Sequence, residues 1–317
     1  HAVWTTVEGM SSHTTGGQTH SRLTLVIWSV GFVLLWNTGF IGAEFGLPAS
    51  GPFTLLFWRY LGLSGVMTVV VLIRRQLRRV PARHLAATAL VGVLSHGVWL
   101  TCVLVPINRG VPAGIVSLVV ALQPLLTGAF AGLATGERTS PAQWGGLGIG
   151  FLGVVIAVSG RLTGSTPAAS GFYLLPFVSA AAITIASLIQ RRRELQTPEA
   201  VLPIGLQLLI QSAATTVLLL FPAVGLESLA TNWTPSYIAS LVWLVLAVSL
   251  GAYALLWRLF ARVSATRIAS LFFLGPPVTL YMAWIAFGDA VLPTDLAGLF
   301  VAGGGVLLVI ASRRRRE

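Results

Sequence analysis

Apolar residues run through this chain in long continuous stretches and do not alternate with polar residues. Each stretch is close to the roughly 20 residues that a helix needs to cross a bilayer. Because backbone N–H and C=O groups cannot stay unpaired in lipid, the pattern predicts transmembrane helices, and the lack of alternation argues against a β-barrel. The predicted spans are 23–45, 51–73, 84–106, 111–134, 142–160, 170–190, 202–221, 236–258, 264–287 and 294–312.

The composition supports this interpretation. Of the 317 residues, 55% are hydrophobic and only 9% are charged, whereas a soluble domain usually has about 25% charged residues. Residues 1–22 differ from the rest, being rich in Ser, Thr, Gly and His, and are predicted to form a disordered cytoplasmic tail. The net charge of +11 does not indicate nucleic-acid binding, because the arginines lie in short clusters between apolar runs.

The placement of arginine predicts the orientation. If the N-terminal tail is cytoplasmic, the inside segments that follow it hold sixteen arginines, ending with the basic C-terminus 313–317, while the outside segments hold only Arg109 and Arg161. Excess positive charge marks the cytoplasmic side of a membrane protein. Both termini are therefore predicted to lie in the cytoplasm, with the chain in the cytoplasmic (inner) membrane.

The second half of the chain repeats the first at an offset of 153 that becomes 152 near the acidic residue. Fixed-offset similarity indicates internal duplication. The first matched set is Ile115, Ser117, Leu118, Pro124, Gly136 and Glu137 with Ile268, Ser270, Leu271, Pro277, Gly288 and Asp289. The second is Gly146, Gly153 and Arg161 with Gly298, Gly305 and Arg313.

Each repeat contains five predicted helices, 23–161 and 170–312. Since five is odd, the second repeat enters the membrane from the opposite side. The predicted fold is therefore an all-α integral membrane protein with ten transmembrane helices in two inverted five-helix repeats. Inverted repeats are typical of secondary transporters, which bind substrate near the midplane; the alternative is a duplication without transport.

These residues resemble the drug/metabolite transporter superfamily, and specifically its EamA-like ten-helix transporters. The motifs that carry the resemblance, which covers about residues 23–312, are Leu35-Trp36-Asn37 through Gly42, Pro52 to Arg59, Pro112-Ala113 through Gln123-Pro124, Gly136-Glu137-Arg138, Ala265-Thr266 to Pro276-Pro277, and Phe287-Gly288-Asp289. Asp289 stands where the family commonly has Glu. The resemblance implies two five-helix bundles around a central cavity and export of amino acids or other small metabolites.

Arg59 is the charged residue placed deepest in a predicted span. A charge inside hydrocarbon costs at least about 2.5–3.5 kcal/mol, so such a residue faces the bundle interior or a partner. One hypothesis is that Arg59 contacts a substrate carboxylate. The other is a structural pair with Glu44, which would fix the first two helices.

Several polar and aromatic residues are candidates for the wall of the cavity. His96, Asn37 and Gln123 lie at similar depth and could bind substrate or form interhelical hydrogen bonds; His96 could also carry protons. Trp99 shares a helix face with His96. Trp36 and Tyr253 are deep enough to line a cavity, whereas aromatic residues near helix ends also form interfacial belts.

Prolines and acidic residues recur at matched positions and are predicted to have hinge or structural roles. Pro124 and the pair Pro276-Pro277 would bend equivalent helices, since proline removes a backbone donor. Glu137 and Asp289 lie at helix junctions, where capping or hinge contacts are favoured over substrate binding.

No motif indicates an enzyme, a cofactor or a metal site: metal-ligand spacing, a nucleophile elbow and a phosphate-binding loop are all missing. A channel would need a continuous polar ring, and a sensory protein would normally carry a soluble domain. The predicted function is thus secondary transport of a small molecule, with the lipid bilayer as environment and a homodimer as a possible assembly.

Overall fold

The computed structural model describes residues 22–130, 140–162, 170–196, 201–260, 262 and 271–314. The regular structure in these residues is entirely helical. The helices are α1 (Arg22–Ser50), α2 (Pro52–Ile73), α3 (Ala82–Asn108), α4 (Ala113–Phe130), α5 (Pro141–Leu162), α6 (Phe172–Gln196, beginning with one tight turn), α7 (Ile204–Glu227), α8 (Pro235–Phe260), α9 (Gly275–Phe287) and α10 (Pro293–Arg314).

Eight of the described helices, α1 to α8, are long and apolar enough to cross a membrane. Helix α10 contains a shorter apolar segment, Pro293–Leu308. Large apolar side chains cover much of the outer surface, as expected where lipid is the solvent. The prediction of an all-α, multi-pass membrane protein is therefore confirmed. Residues 1–21 of the predicted tail and residues 264–270 at the start of the predicted ninth span lie outside the described residues.

Helix α4 is interrupted by a turn, and a similar turn precedes α9. The amide of Leu122 donates to the carbonyl of Val119 at 3.1 Å, and the amide of Leu274 donates to that of Leu271 at 3.1 Å. A proline follows each turn by two residues and cannot supply the amide that would continue the α-helix. The sequence prediction of bends near these prolines matches the turns, which are separated by 152 residues.

Helices α3 and α8 each contain a π-helical segment. The segments are Val93–Val98 and Trp243–Ala252, and an offset of 153 places the first inside the second. A π-turn widens the helix and often occurs at functional sites. These two segments carry His96 and Ser249 toward the interior of the protein, where both side chains are buried.

Helices α5 and α10 pack along each other at glycine contacts. A β-carbon at Gly153 would lie 2.5 Å from the carbonyl oxygen of Gly298, and one at Gly305 would lie 2.5 Å from that of Gly146. Small residues permit this close approach of two backbones in a membrane. Helices α2 and α7 form the other extensive pair.

The N-terminus of α2 is closed by a carboxylate from the end of α7. Glu227 accepts hydrogen bonds from the amides of Phe53 (3.2 Å) and Thr54 (2.7 Å). The preceding Gly51 has φ of 79° and would bring a β-carbon within 2.7 Å of the carboxylate. A negative charge at the positive end of a helix, with two charge-assisted hydrogen bonds, stabilises the join between α2 and α7.

Replacing Glu227 with alanine is expected to lower the free energy of unfolding by about 1–2 kcal/mol, since it removes the cap of α2. Chemical unfolding in mixed detergent micelles measures the loss. Glu194→Ala is the control, because Glu194 is exposed near the end of α6. Equal stability of the two variants would contradict the capping role.

Candidate functional site

A cavity lies among α1, α2, α3, α7 and α8. Its volume is about 610 Å³, counting the part that is open to the outside. Five of the seven binding residues expected from the sequence line it: Trp36, Arg59, His96, Trp99 and Tyr253. The apolar part of the wall includes Leu63, Leu100, Val103, Leu104, Leu208 and Val248.

The aromatic residues form a connected group on one side of the cavity. The ring centroids of Trp36 and Trp99 are 6.1 Å apart with an interplanar angle of 27°, and Trp36 lies 5.4 Å from Tyr253. Phe272 meets Trp36 edge-on at 5.3 Å. Aromatic pairs in these geometries hold each other in place. The wall is therefore a largely aromatic surface that suits apolar or aromatic groups.

Arg59 is buried in this wall, with 5% of its surface exposed. Its Nε and Nη2 atoms donate to the hydroxyl of Ser249 at 3.3 and 3.0 Å, and its guanidinium carbon lies 5.7 Å from the centroid of the Tyr60 ring. Within the described residues it makes no ion pair, so the alternative pairing with Glu44 is not formed. The groups that contact its guanidinium, the Ser249 hydroxyl and the Tyr60 ring, are uncharged.

His96 lies in the π-helical turn of α3 and is also buried. Its Nε2 atom is 3.4 Å from Oε1 of Gln211 on α7, and its ring centroid is 5.4 Å from that of Tyr60. Gly92, one turn earlier, approaches the backbone of Gln211 so closely that a β-carbon would lie 2.5 Å from its Cα. The contact joins α3 to α7 while one side of the imidazole lines the cavity.

Trp99 brings an unsatisfied donor to the same wall. The residue is 7% exposed, and its indole nitrogen has no hydrogen-bond acceptor among the residues that the structure describes. A buried donor without an acceptor is energetically unfavourable. The residue lines the cavity, while its indole nitrogen is itself buried.

Two expected binding residues lie elsewhere. Asn37 is buried between α1 and α9, where its amide donates to the carbonyl of Val33 at 2.6 Å and its oxygen accepts from Thr279 at 2.9 Å. Gln123 donates to Thr127, one turn along α4, at 3.0 Å. Neither side chain is part of the cavity wall. Both positions favour the alternative of hydrogen bonding within and between helices.

The predicted hinge residues that the structure describes lie at interruptions or ends of helices. Pro124 and Pro276 follow the interruptions described above, and Pro277 lies in the first turn of α9. Asp289 follows Gly288, whose φ of 73° ends α9. Burial raises the pKa of Asp289 above its ordinary value, and the nearby positive charge of Arg161 opposes that shift. Glu137 lies outside the described residues.

Sequence reasoning did not single out Tyr60, Ser249 or Phe40, which also line the cavity. Ser249 could have been found only through the repeat, because it stands 153 residues after His96. Tyr60 follows Arg59 directly in α2, and it too is buried and lines the cavity. No group of three potential metal ligands occurs in the part of the chain that the structure describes.

The chain is similar in sequence to known membrane transporters. The family profile of the EamA-like transporters matches residues 23–159, the region of α1 to α5. Curated transporters match nearly the whole chain. Residues 23–159 carry an EamA-like transporter domain. The resemblance inferred from the motifs is thus confirmed, and with it the prediction of a membrane transporter.

Three relatives illustrate the similarity. A probable amino-acid metabolite efflux pump of Salmonella typhimurium is 26% identical, over 90% of this chain and 94% of its own. A probable terminal-alkyne amino-acid exporter of Streptantibioticus cattleyicolor is 29% identical, over 93% and 97%. An uncharacterized inner membrane transporter of Escherichia coli K12 is 25% identical, over 87% of each chain.

The fold of the chain also has a counterpart among solved structures. A crystal structure with 21% sequence identity superposes with a TM-score of 0.65, over 94% of this chain and 100% of the other. At this identity the likeness concerns the fold alone. It indicates that the helix arrangement around the cavity is one that occurs in a known protein.

Proposed function

We propose that this EamA-like transporter exports amino acids or related small metabolites across the cytoplasmic membrane by alternating access. Two inverted five-helix halves, 23–161 and 170–312, would rock about the cavity and expose it to each side in turn. Both short terminal segments would lie in the cytoplasm. The names of the Salmonella and Streptantibioticus relatives favour amino acids and their derivatives as cargo.

The observation that carries the proposal is the crossing of α5 and α10. The sequence repeat pairs Gly146 with Gly298 and Gly153 with Gly305. In space, Gly153 meets Gly298 and Gly146 meets Gly305. Exchanging each residue for its repeat partner turns one contact into the other, which is the relation that a two-fold axis between the two halves requires.

Other contacts follow the same relation. Arg59 of α2 bonds to Ser249 of α8, while Gln211 of α7 lies beside His96 of α3. The offset of 153 relates α2 to α7 and α3 to α8, so each contact joins the equivalent pair of helices. Such matched contacts support two halves built alike around the cavity.

Transport is tested with the purified full chain in proteoliposomes. Saturable flux of at least one labelled amino acid or small derivative is expected, with none in protein-free liposomes. An imposed pH gradient, compared with its absence, shows whether protons are coupled. Failure to move any of these solutes under either condition would refute the export proposal.

A further inference from the structure

The cavity has an uncompensated charge. Arg59 contributes a permanent positive charge, since a guanidinium is not deprotonated in proteins, and no Asp or Glu is among the described lining residues. Its near neighbours are the Ser249 hydroxyl and the Tyr60 ring. A buried charge is costly unless a counter-charge reaches it. The missing counter-charge is best supplied by the molecule that occupies the cavity.

A second observation points the same way. The indole N–H of Trp99 is buried at the cavity wall and has no acceptor within the described part of the chain. A carboxylate presents two oxygens with about four lone-pair positions. It could accept from the Arg59 guanidinium and, once the indole of Trp99 turns toward the cavity, from that donor as well, so that one group would satisfy both.

We infer that the occupant is a small monocarboxylate with a net charge of −1 and a flat or compact apolar body. Its carboxylate binds Arg59 and Trp99, and its body packs on Trp36, Tyr253 and the neighbouring leucines. As a statement about cargo, this rests on the export function proposed above. The inference narrows the exported cargo to deaminated or N-acylated relatives of amino acids.

The same charges argue against free amino acids as the tightest ligands. An α-ammonium group would enter a cavity that already holds the Arg59 cation and has no carboxylate in its described wall. Aromatic faces such as that of Trp36 can attract a cation, but the interaction is weaker than an ion pair in a buried site. A zwitterion therefore leaves a second charge unpaired, whereas a monocarboxylate leaves none.

Binding to the purified full chain in detergent, measured by calorimetry, tests the inference. Four probes share one skeleton: indole-3-propionate, L-tryptophan, tryptamine and indole-3-propionamide. They differ in whether a carboxylate, an ammonium, both or neither is present. Indole-3-propionate is expected to bind at least about tenfold more tightly than each of the others. The pair 4-methylpentanoate and L-leucine repeats the comparison on an aliphatic body.

Variants identify the groups responsible. Arg59→Gln is expected to weaken indole-3-propionate binding by about tenfold or more, while Arg59→Lys keeps the charge and retains part of the affinity. Trp99→Phe keeps an aromatic ring, removes the N–H and should cost several-fold. Arg74→Gln is the matched control, since Arg74 is exposed at the end of α2. Elution as a single folded species is checked for each variant.

The results separate this inference from the export proposal. Equal or tighter binding of L-tryptophan or tryptamine, unchanged binding in both Arg59 variants, or no binding of either carboxylate would overturn the inference. Selective binding of carboxylates without any flux in proteoliposomes would refute export and leave the binding site intact. If the wild-type chain and Arg59→Gln transport amino acids at the same rate, the export proposal stands and the monocarboxylate inference is wrong.

Discussion

Replacing Asp295 with alanine is expected to destabilise the protein by about 3–5 kcal/mol, because it leaves a partly buried arginine without its counter-ion. Asp295 lies in the first turn of α10, and only 2% of its side chain is exposed. Its carboxylate forms an ion pair with Arg161 at the end of α5 and accepts from the amide of Leu292 at 2.9 Å.

Several interactions would be lost together in this variant. The carboxylate caps α10, where negative charge is favoured, and it receives two nitrogens of the Arg161 guanidinium. Without it, Arg161 would keep a hydrogen bond to the carbonyl of Ala290 at 2.6 Å. That neutral acceptor does not compensate the charge.

Unfolding of Asp295→Ala in mixed detergent micelles measures the loss, with Glu194→Ala as a control for removing an exposed carboxylate. The double variant Arg161→Gln/Asp295→Ala should recover part of the stability, since no unpaired charge remains. A double variant as unstable as the sum of the two single changes would show that the residues act independently.

The ion pair shows where sequence reasoning stops. The sequence predicts that Arg161 is one of two arginines on the outer side, and this prediction depends only on the order of apolar runs. Its partner is 134 residues away along the chain, and several acidic residues were available. Which of them reaches Arg161 depends on how α5 and α10 cross, and no local pattern contains that information.

The helices themselves were predictable because lipid imposes one rule on every apolar stretch. Span 51–73, for example, corresponds to Pro52–Ile73. Bends near Pro124 were predictable because a missing amide is a local property. The π-helical turns around His96 and Ser249 were not, since neither residue prevents an ordinary α-helix. The segment in α3 packs on α6 and α7, and the segment in α8 packs on α1 and α2.

The residues of the candidate site were likewise predictable only in part. Depth in the membrane grouped Arg59, His96 and three aromatic residues, and all of these line one cavity, because residues at equal depth on inward faces converge. Depth alone also selected Asn37 and Gln123, which lie outside the cavity wall. The direction of a side chain around its helix separates the two groups, and that direction was not fixed by a nearly uniform apolar sequence.

Replacing Gly153 with alanine is expected to disrupt the crossing of α5 and α10 and to destabilise the protein by about 1–3 kcal/mol. The added β-carbon would meet backbone atoms of Gly298 and Ala302 at 2.5 Å. Backbone atoms cannot move aside as the end of a flexible side chain can. The two helices would have to separate along the whole interface.

Gly148→Ala is a closely matched control on the same helix, because a β-carbon there would meet nothing within 4 Å. It should be neutral or stabilise slightly, since alanine favours a helix by up to about 1 kcal/mol over glycine. A loss at Gly148 as large as that at Gly153 would indicate that helix propensity or lipid contact, and not the crossing, causes the effect.

The same comparison on α10 tests the relation between the halves. Gly305→Ala is expected to lose about as much stability as Gly153→Ala, because a β-carbon at either position meets the facing backbone at 2.5 Å. Gly304→Ala is its control, with open space around the new carbon. Losses at both crossing glycines and at neither control are what a two-fold relation between α5 and α10 requires. A loss at one end of the crossing alone would mean that the two helices are not equivalent, and would remove the main support for inverted halves.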